Sequence, residues 1–346
     1  MPISRSAKVH LAVTLGDPAG IGPEVALKAI HSWKKRSQAR ILLIGPAAFY
    51  RDLARKMGLR LSFLELRDLS GWKDSPALLS CYFFGEVPRV LARGRSDKRL
   101  SKLAMRSIDL ALELAMKKEV DAVVTAPVNK AALREAGFNI PGHTEYLARR
   151  SRTRRFEMML VGGKLRVVVV TRHIALKNVP KALTRKNIEE AILLTDEALR
   201  RWFGVKKPRI VVCGLNPHAG EKGNFGREEI EKIGPAVRSA RKKTRSVITG
   251  PLSPDALFVD AYAGKYDAEI CMYHDQGLIP LKMIARGSGV NVTLGLPFVR
   301  TSPDHGTAYD IAGKFTADAG SMREALELAA HLAKNRKRNA GPRSRD

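Results

Sequence analysis

The sequence predicts an α/β protein built on a largely parallel sheet. Short β-branched or aliphatic runs alternate with longer segments whose apolar residues recur at three- and four-residue spacing. A chain of 346 residues is also long enough for two such units, each with its own core. Strands are expected at 9–15, 40–44, 122–125, 166–171, 209–213, 246–248, 268–272 and 290–294. Helices are expected at 22–33, 101–118, 186–203, 227–240 and 321–334. In the second helix Leu103, Ile108, Leu110, Ala111, Leu114 and Ala115 form the apolar stripe.

No internal repeat or low-complexity linker divides the chain, so boundaries rest on Pro/Gly turns near Pro127 and near Gly287 and Gly289. These turns predict a terminal domain of 1–128 plus 288–335, a middle domain of 129–287 and a basic tail of 336–346. Two sequential halves are the alternative.

Composition describes an ordinary soluble globular protein, 45% hydrophobic and 27% charged. The apolar run at 9–13 is too short for a signal-peptide core, and no later run approaches a membrane span. Cys81, Cys213 and Cys271 lie far apart without a CxxC pair and read as buried small hydrophobes in a reducing compartment. A cytoplasmic protein is expected, with no membrane partner.

The net charge of +27 is unusual. Much of it falls in clusters at 149–155, 238–245 and 334–345. Such clusters suit either attachment to nucleic acid or a membrane surface, or a solvated basic surface suited to anionic substrates. No aromatic interleaving or RNA-binding motif accompanies them, so nucleic acid is not the expected partner.

The chemistry concentrates in residues 266–314. His274 and Asp275 follow an apolar run there, and Lys282, Asn291 and Arg300 come next at intervals of nine residues. Such side chains read phosphate and carboxylate, and each costs free energy if buried without a partner. Asp304, His305 and Gly306 then lead toward an expected helix start, in a run that could cradle a nucleotide.

Other segments add candidates. The glycines Gly16, Gly20 and Gly22 between the first strand and first helix make either an anion site or a tight connection. Asn129 and Lys130, after the strand at 122–125, suit substrate reading or helix capping. Thr144 alone reads as an N-cap, but with His143 beside it the pair can donate to an anion. His173, His218 and His274 each follow an apolar run, which makes them either satisfied polar residues or three ligands of one open metal site. The glycine-rich loop at 216–226 is long enough to be functional.

Taken in order, TLGDPAGIGPE, TAPVNK, GHTEYLA, GLNPHAGE, YHDQGLIPLK and GVNVTLGLPFVRTSPDHGTA closely resemble the 4-hydroxythreonine-4-phosphate dehydrogenase family of vitamin B6 biosynthesis. The resemblance runs from about Val9 to about Leu332 and leaves out the tail and the heavy arginine content. It implies an isocitrate/isopropylmalate-dehydrogenase-like fold, with two α/β domains flanking a cleft. It also implies a homodimer with a shared active site, NAD (or NADP) and a divalent metal, zinc, magnesium or cobalt. His173, His218 and His274 match the family's metal ligands, one of them expected from the partner subunit. His143, Thr144, Lys282, Asn291 and Arg300 match its substrate-binding residues, and Asp255 and Asp275 match acidic residues of the same site. Asp304, Gly306, Ala308 and Asp310 resemble the adenosine-side loop of isocitrate-type dehydrogenases.

The implied reaction is NAD-dependent oxidation of 4-phosphooxy-L-threonine at C3, followed by loss of CO2 from the β-keto acid, giving 3-amino-2-oxopropyl phosphate. A Lewis-acidic ion suits both steps, with Asp275 or Asp255 as the base. The alternatives are a dehydrogenase of threonate or erythronate 4-phosphate, a metal-dependent phosphatase, and a nucleic-acid-binding protein on this scaffold.

Overall fold

Val9–Thr14 is buried at every position but His10, and a strand enclosed on both faces belongs inside a parallel sheet covered by helices. It forms β1 (Val9–Thr14) and is followed by α1 (Gly22–Ser32), β2 (Ala39–Ile44), α2 (Ala47–Lys56) and the short β3 (Leu64–Glu65) and β4 (Leu79–Cys81). Next come α3 (Lys98–Met116), β5 (Ala122–Val124), α4 (Lys130–Glu135) and α5 (His143–Arg150). Asp97 starts α3 by accepting from the backbone N–H of Arg99. The computed structural model describes residues 8–35, 38–70, 72, 79–82, 85–88, 93–140 and 142–339.

The chain continues through β6 (Glu157–Gly162), β7 (Leu165–Thr171), α6 (Val179–Ala182), α7 (Arg185–Arg201), β8 (Arg209–Cys213) and α8 (Gly234–Lys243). It then forms β9 (Val247–Leu252), α9 (Pro254–Tyr262), β10 (Ala268–Tyr273), α10 (His274–Ala285) and β11 (Val290–Leu294). β12 (Val299–Pro303) and α11 (Gly320–Asn339) complete it.

These elements divide into two compact units, Met1–Arg152 with Leu296–Lys334 and Thr153–Gly295 with Asn335–Asp346. Within the first, the strand order is β3-β4-β2-β1-β5-β12 and every pairing is parallel. Within the second, the order is β11-β6-β7-β10-β8-β9. There β6 runs antiparallel to both β7 and β11, while β7, β10, β8 and β9 are mutually parallel. The second unit's core packs Leu160, Val167, Val169 and Val211 of the sheet against Leu257 of α9 and Leu281 of α10.

The units break after Arg152 and Gly295, not at the Pro/Gly turns near 128 and 288. Side-chain bonds explain the first difference. Tyr146 of α5 donates to Asp109 of α3 at 2.5 Å, and Arg150 pairs with Asp109 at 3.2 Å, so α5 stays with the first unit. The second follows from the sheet, since β11 pairs along its whole length with β6. The segment expected as a tail from 336 is helical as far as Asn339. Asn335 donates to the Trp202 carbonyl and Asn339 to those of Arg200 and Arg201, which ties the end of α11 to the end of α7. Residues 340–346 of that tail lie outside the described residues.

No helix begins at 304–310. The chain from Asp304 to Lys314 is a series of turns, and α11 starts only at Gly320. Ala308 (φ 40°) and Gly313 (φ 85°) both take left-handed conformations that a right-handed helix does not admit.

Candidate active site

Ligands of parallel α/β sheets gather beyond the carboxyl ends of the strands. In the second unit those ends carry the three histidines: His173 two residues past β7, His274 directly after β10, and His218 five residues past β8. His173 and His274 stand with ring centroids 5.8 Å apart. Both line a pocket of about 280 Å³ with Arg172, Tyr273 and Asp275. His274 is the first residue of α10, and its Nδ1 lies 2.7 Å from Oδ1 of Asp275. A carboxylate on Nδ1 fixes the ring and leaves Nε2 as the ligating nitrogen. Arg172 beside them pairs with Glu157 at 2.5 Å. Burial, outweighing that arginine, pushes the Glu157 carboxyl up to about 7.

His218 occupies a different setting. Five consecutive residues, His218 to Lys222, have left-handed φ between 40° and 79°, and only Gly220 among them is glycine. Its ring stands 6.2 Å from that of Phe225. Nearby, a hydrogen bond from Ser253 at 2.5 Å is the main cause of the lowered pKa of Asp255. Among the described residues no three His, Cys, Asp or Glu side chains form a complete metal site. The structure therefore brings His173, His274 and Asp275 together and does not add His218 to them. Two neighbouring imidazoles, one with a carboxylate behind it, are nonetheless the donor chemistry of a divalent transition metal.

In the first unit a group of buried polar side chains forms around Arg300 of β12. This arginine is only 2% exposed. It donates from Nε and Nη2 to Thr125 Oγ1, and from Nη1 toward Thr144 Oγ1 at 3.5 Å. Thr144 is thus not a cap: α5 begins from Gly142 without a side-chain cap, and the Thr144 hydroxyl faces the guanidinium. His143 is half-buried, and its buried Nε2 has no hydrogen-bond partner. Desolvation, with the charges of Arg300 and Lys130, pushes its pKa down to about 3. Asn129 is a cap, accepting from the Ala132 N–H at 3.0 Å. Its neighbour Lys130 is the residue whose charge reaches His143.

The remaining predicted site residues are placed as follows. Lys282 lies on α10 and Asn291 on β11, both in the second unit, and the buried Oδ1 of Asn291 has no hydrogen-bond partner. Orphaned buried polar atoms such as those of His143 and Asn291 are rare in structural positions and common where a ligand completes the set. Asp304, Gly306, Ala308 and Asp310 follow β12 in the turns of the first unit. This segment is fastened to the glycine-bearing loop after β1: Ile21 N–H donates to the Thr307 carbonyl, and Tyr309 donates to Asp17 at 2.5 Å. Gly20 permits the contact, because a Cβ there would lie 2.8 Å from Thr307 Cβ and its carbonyl oxygen.

Three residues near these groups escape a reading of the sequence. Thr125 holds Arg300, Gln276 bonds to backbone beside His274, and Glu229 binds the backbone of the His218 loop. Only Gln276 carries a local signal, its place within YHDQG.

Parallel strands ending in imidazoles, together with a buried arginine and an unprotonated histidine, define an α/β enzyme that handles anionic substrates. The chain belongs to the family described as pyridoxal phosphate biosynthetic protein PdxA, whose model matches residues 37–329. The 4-hydroxythreonine-4-phosphate dehydrogenase of Desulfosudis oleivorans is 44% identical over 321 residues, covering 92% of this chain and 94% of that one. The D-threonate 4-phosphate dehydrogenase of Salmonella typhimurium is 42% identical over 327 residues, 93% and 98% of the two chains. The crystal structure of the Klebsiella pneumoniae 4-hydroxythreonine-4-phosphate dehydrogenase superposes with a TM-score of 0.84 at 40% identity, covering 94% of this chain and all of that one. The expected α/β architecture is therefore that of a solved family member, and the family's oxidoreductases use a nicotinamide cofactor. No helix among the described residues is long and apolar enough to cross a membrane.

Proposed function

We propose that this protein is a 4-hydroxythreonine-4-phosphate dehydrogenase that oxidises and decarboxylates 4-phosphooxy-L-threonine to 3-amino-2-oxopropyl phosphate in pyridoxine 5'-phosphate synthesis. The observation that carries the reading is the His173–His274 pair, backed by Asp275, at the carboxyl edge of the second unit's sheet. His173 and His274 would hold a divalent ion, zinc or cobalt suiting imidazoles better than magnesium. The ion would supply Lewis acidity to the oxygen on C3 and NAD a hydride acceptor for that carbon, chemistry that suits formation of a β-keto acid able to lose CO2.

The chain's own residues orient and hold. On the first unit Arg300, with Thr144 and His143, would read an anionic end of the substrate. On the second unit Lys282 and Asn291 are candidate donors. His143, neutral at working pH, donates one N–H or accepts with the other nitrogen without adding charge. The C3 hydroxyl proton leaves to Asp255 or Asp275. Asp255 is ionised at neutral pH, held below the usual carboxylate range by Ser253, and so is ready as a weak base. The segment carrying Asp304, Gly306, Ala308 and Asp310 takes the adenosine side of NAD, with NADP as the alternative. The protein is cytoplasmic in this reading.

We also infer a homodimer in which His218 and the His173–His274 pair come from different copies. The support is that one chain assembles two imidazoles and not three. Ile279 and Met283 on α10 and Val259 and Tyr262 on α9 are exposed, as an interface with a second copy requires. Light scattering of the purified protein checks this.

A specific finding favours a second substrate reading: the D-threonate 4-phosphate enzyme is as similar to this chain as several 4-hydroxythreonine-4-phosphate enzymes. Assays of NADH formation with 4-phosphooxy-L-threonine, D-threonate 4-phosphate and erythronate 4-phosphate separate the two. Turnover of the amino acid alone supports the first reading. Turnover confined to the sugar acids replaces it with the second, and phosphate release without NADH overturns both.

A further inference from the structure

Parallel strands hold each other only as far as their ladder runs. Between β10 and β8 the register is Ala268↔Ile210, Glu269↔Val211 and Ile270↔Val212, and it stops there. The next residues in step on that side are Met272 and Gly214, immediately before the two segments that carry His274 and His218. Backbone groups left open at such a point are normally given to water or to a side chain.

Here a side-chain amide takes the place of the missing rung. Gln276, in the first turn of α10, accepts from the Met272 N–H at 2.6 Å through Oε1. It donates through Nε2 to the Gly214 carbonyl at 2.7 Å. The neighbouring residue makes this reach possible. A Cβ on Gly277 would lie 2.3 Å from Val167 Cγ1 and 2.9 Å from Cys271 Sγ, so only glycine lets the first turn of α10 sit this close to the sheet. On the other side of β10, Thr171 donates to the Met272 carbonyl at 2.6 Å. Both backbone groups of Met272, two residues before His274, are thus taken by buried side chains from the flanking elements. The same bonds tie β7, two residues before His173, and β8, four residues before His218.

We propose that Gln276, with Thr171, is a positioning residue for the metal histidines: their bonds fix the ends of β7 and β10 that present His173 and His274 together, and the bond to Gly214 fixes the end of β8 from which His218 is delivered to the other copy's site. This rests on the metal site proposed above. Gln276 itself touches neither metal nor substrate. It acts by fixing where three separate strands release their chains.

The test is a titration of metal-free, full-length protein with Co2+, followed by visible absorption and chelator competition, beside thermal melting of the same metal-free samples. Gln276→Met removes both amide bonds, Gln276→Glu keeps the acceptor and loses the donor, and Thr171→Val removes the hydroxyl while Thr171→Ser restores it. The expected result is Co2+ binding weaker by roughly 10–100-fold in Gln276→Met and by less in Gln276→Glu, with an altered visible band. Thr171→Ser should bind like the parent where Thr171→Val does not. A purely structural role lowers the melting temperature of the metal-free protein but leaves the affinity and band of the folded protein unchanged, and that outcome overturns the proposal. Should Gln276→Met fail to fold, Gln276→Glu and the Thr171 pair decide. His274→Ala separates the two levels. If it binds Co2+ like the parent, the metal reading falls and this inference with it. If it binds weakly while the Gln276 and Thr171 variants bind normally, only the positioning role falls.

Discussion

Arg300 donates from both Nε and Nη2 to a single oxygen, Oγ1 of Thr125, at 3.1 and 2.6 Å. The two residues lie on adjacent parallel strands or their ends, Arg300↔Val123 being in register, so the hydroxyl fixes a guanidinium that is otherwise surrounded by core. Burial lowers the Arg300 pKa to about 10, which still leaves it charged in neutral solution. Arg300→Lys keeps a charge but loses the planar fork. Misplaced binding of this kind is expected to reduce kcat/KM by roughly 100-fold. Thr125→Val should raise KM and also cost about 1–3 kcal/mol of stability, because a buried donor loses its acceptor. Steady-state kinetics with the phosphorylated substrate, together with urea unfolding, check both.

His143 gives a pH signature. Its folded pKa of about 3 lies below the ordinary histidine value of 6.5, with desolvation the main cause. Between those two values the unfolded chain binds the proton and the folded chain does not. Stability contributed by neutral His143 is therefore present above pH 6.5 and lost as the pH falls toward 3. The loss approaches about 1.4 kcal/mol per pH unit inside that window. His143→Gln should flatten that part of the unfolding-free-energy curve between pH 4 and 6, as read by denaturant titration at each pH. In the parent enzyme no acid limb of kcat/KM near pH 6.5 should trace to His143; a limb there that disappears in His143→Gln would contradict a neutral role.

Asp275 leans on Nδ1 of His274 at 2.7 Å. Asp275→Asn keeps the shape and removes the charge that favours a ligating Nε2. Metal affinity measured by chelator competition should fall by roughly 10–100-fold. If Asp275 is instead only a base, affinity stays level and kcat alone drops.

Much of this arrangement is legible from the letters alone. Strands such as β1 and β8 announce themselves because they are buried along most of their length and read as short runs rich in aliphatic residues. β12 does not, since its buried residues include Arg300 and Thr301, whose polar groups are satisfied by partners far away in sequence. α10 is hidden by Gly277 and Pro280, residues that argue against a helix locally; Gly277 is required by contact with Val167 and Cys271. His274 and Asp275 are found because they are neighbours in the chain. Thr125, Gln276 and Glu229 are ordinary letters until the sheet brings them to Arg300, Met272 and Asn216.

Members of the arginine and lysine clusters pair locally, as in Arg150–Asp109 and Lys243–Glu189.

Glu229 supplies the last prediction. One of its oxygens, Oε1, accepts from the N–H groups of Leu215 and Asn216 at 2.7 and 2.8 Å, while Oε2 accepts from the Asn216 amide at 2.9 Å. It is buried, in a short π-helical turn that precedes α8. The loop it holds contains four non-glycine residues in left-handed conformation, His218, Ala219, Glu221 and Lys222, each disfavoured by about 1–2 kcal/mol. Such strain persists only where surrounding bonds overdetermine it. Glu229→Ala should release the loop: amide hydrogen exchange at 215–223 rises sharply while β8 and β10 stay protected, and activity falls by roughly 100-fold. Gly220→Ala should do the same from the other side, since its Cβ would lie 2.6 Å from Glu229 Oε2 and its φ of +79° resists a side chain. Unchanged exchange across 215–223 in Glu229→Ala would show that the loop keeps its shape without the carboxylate, and that His218 is positioned by something else.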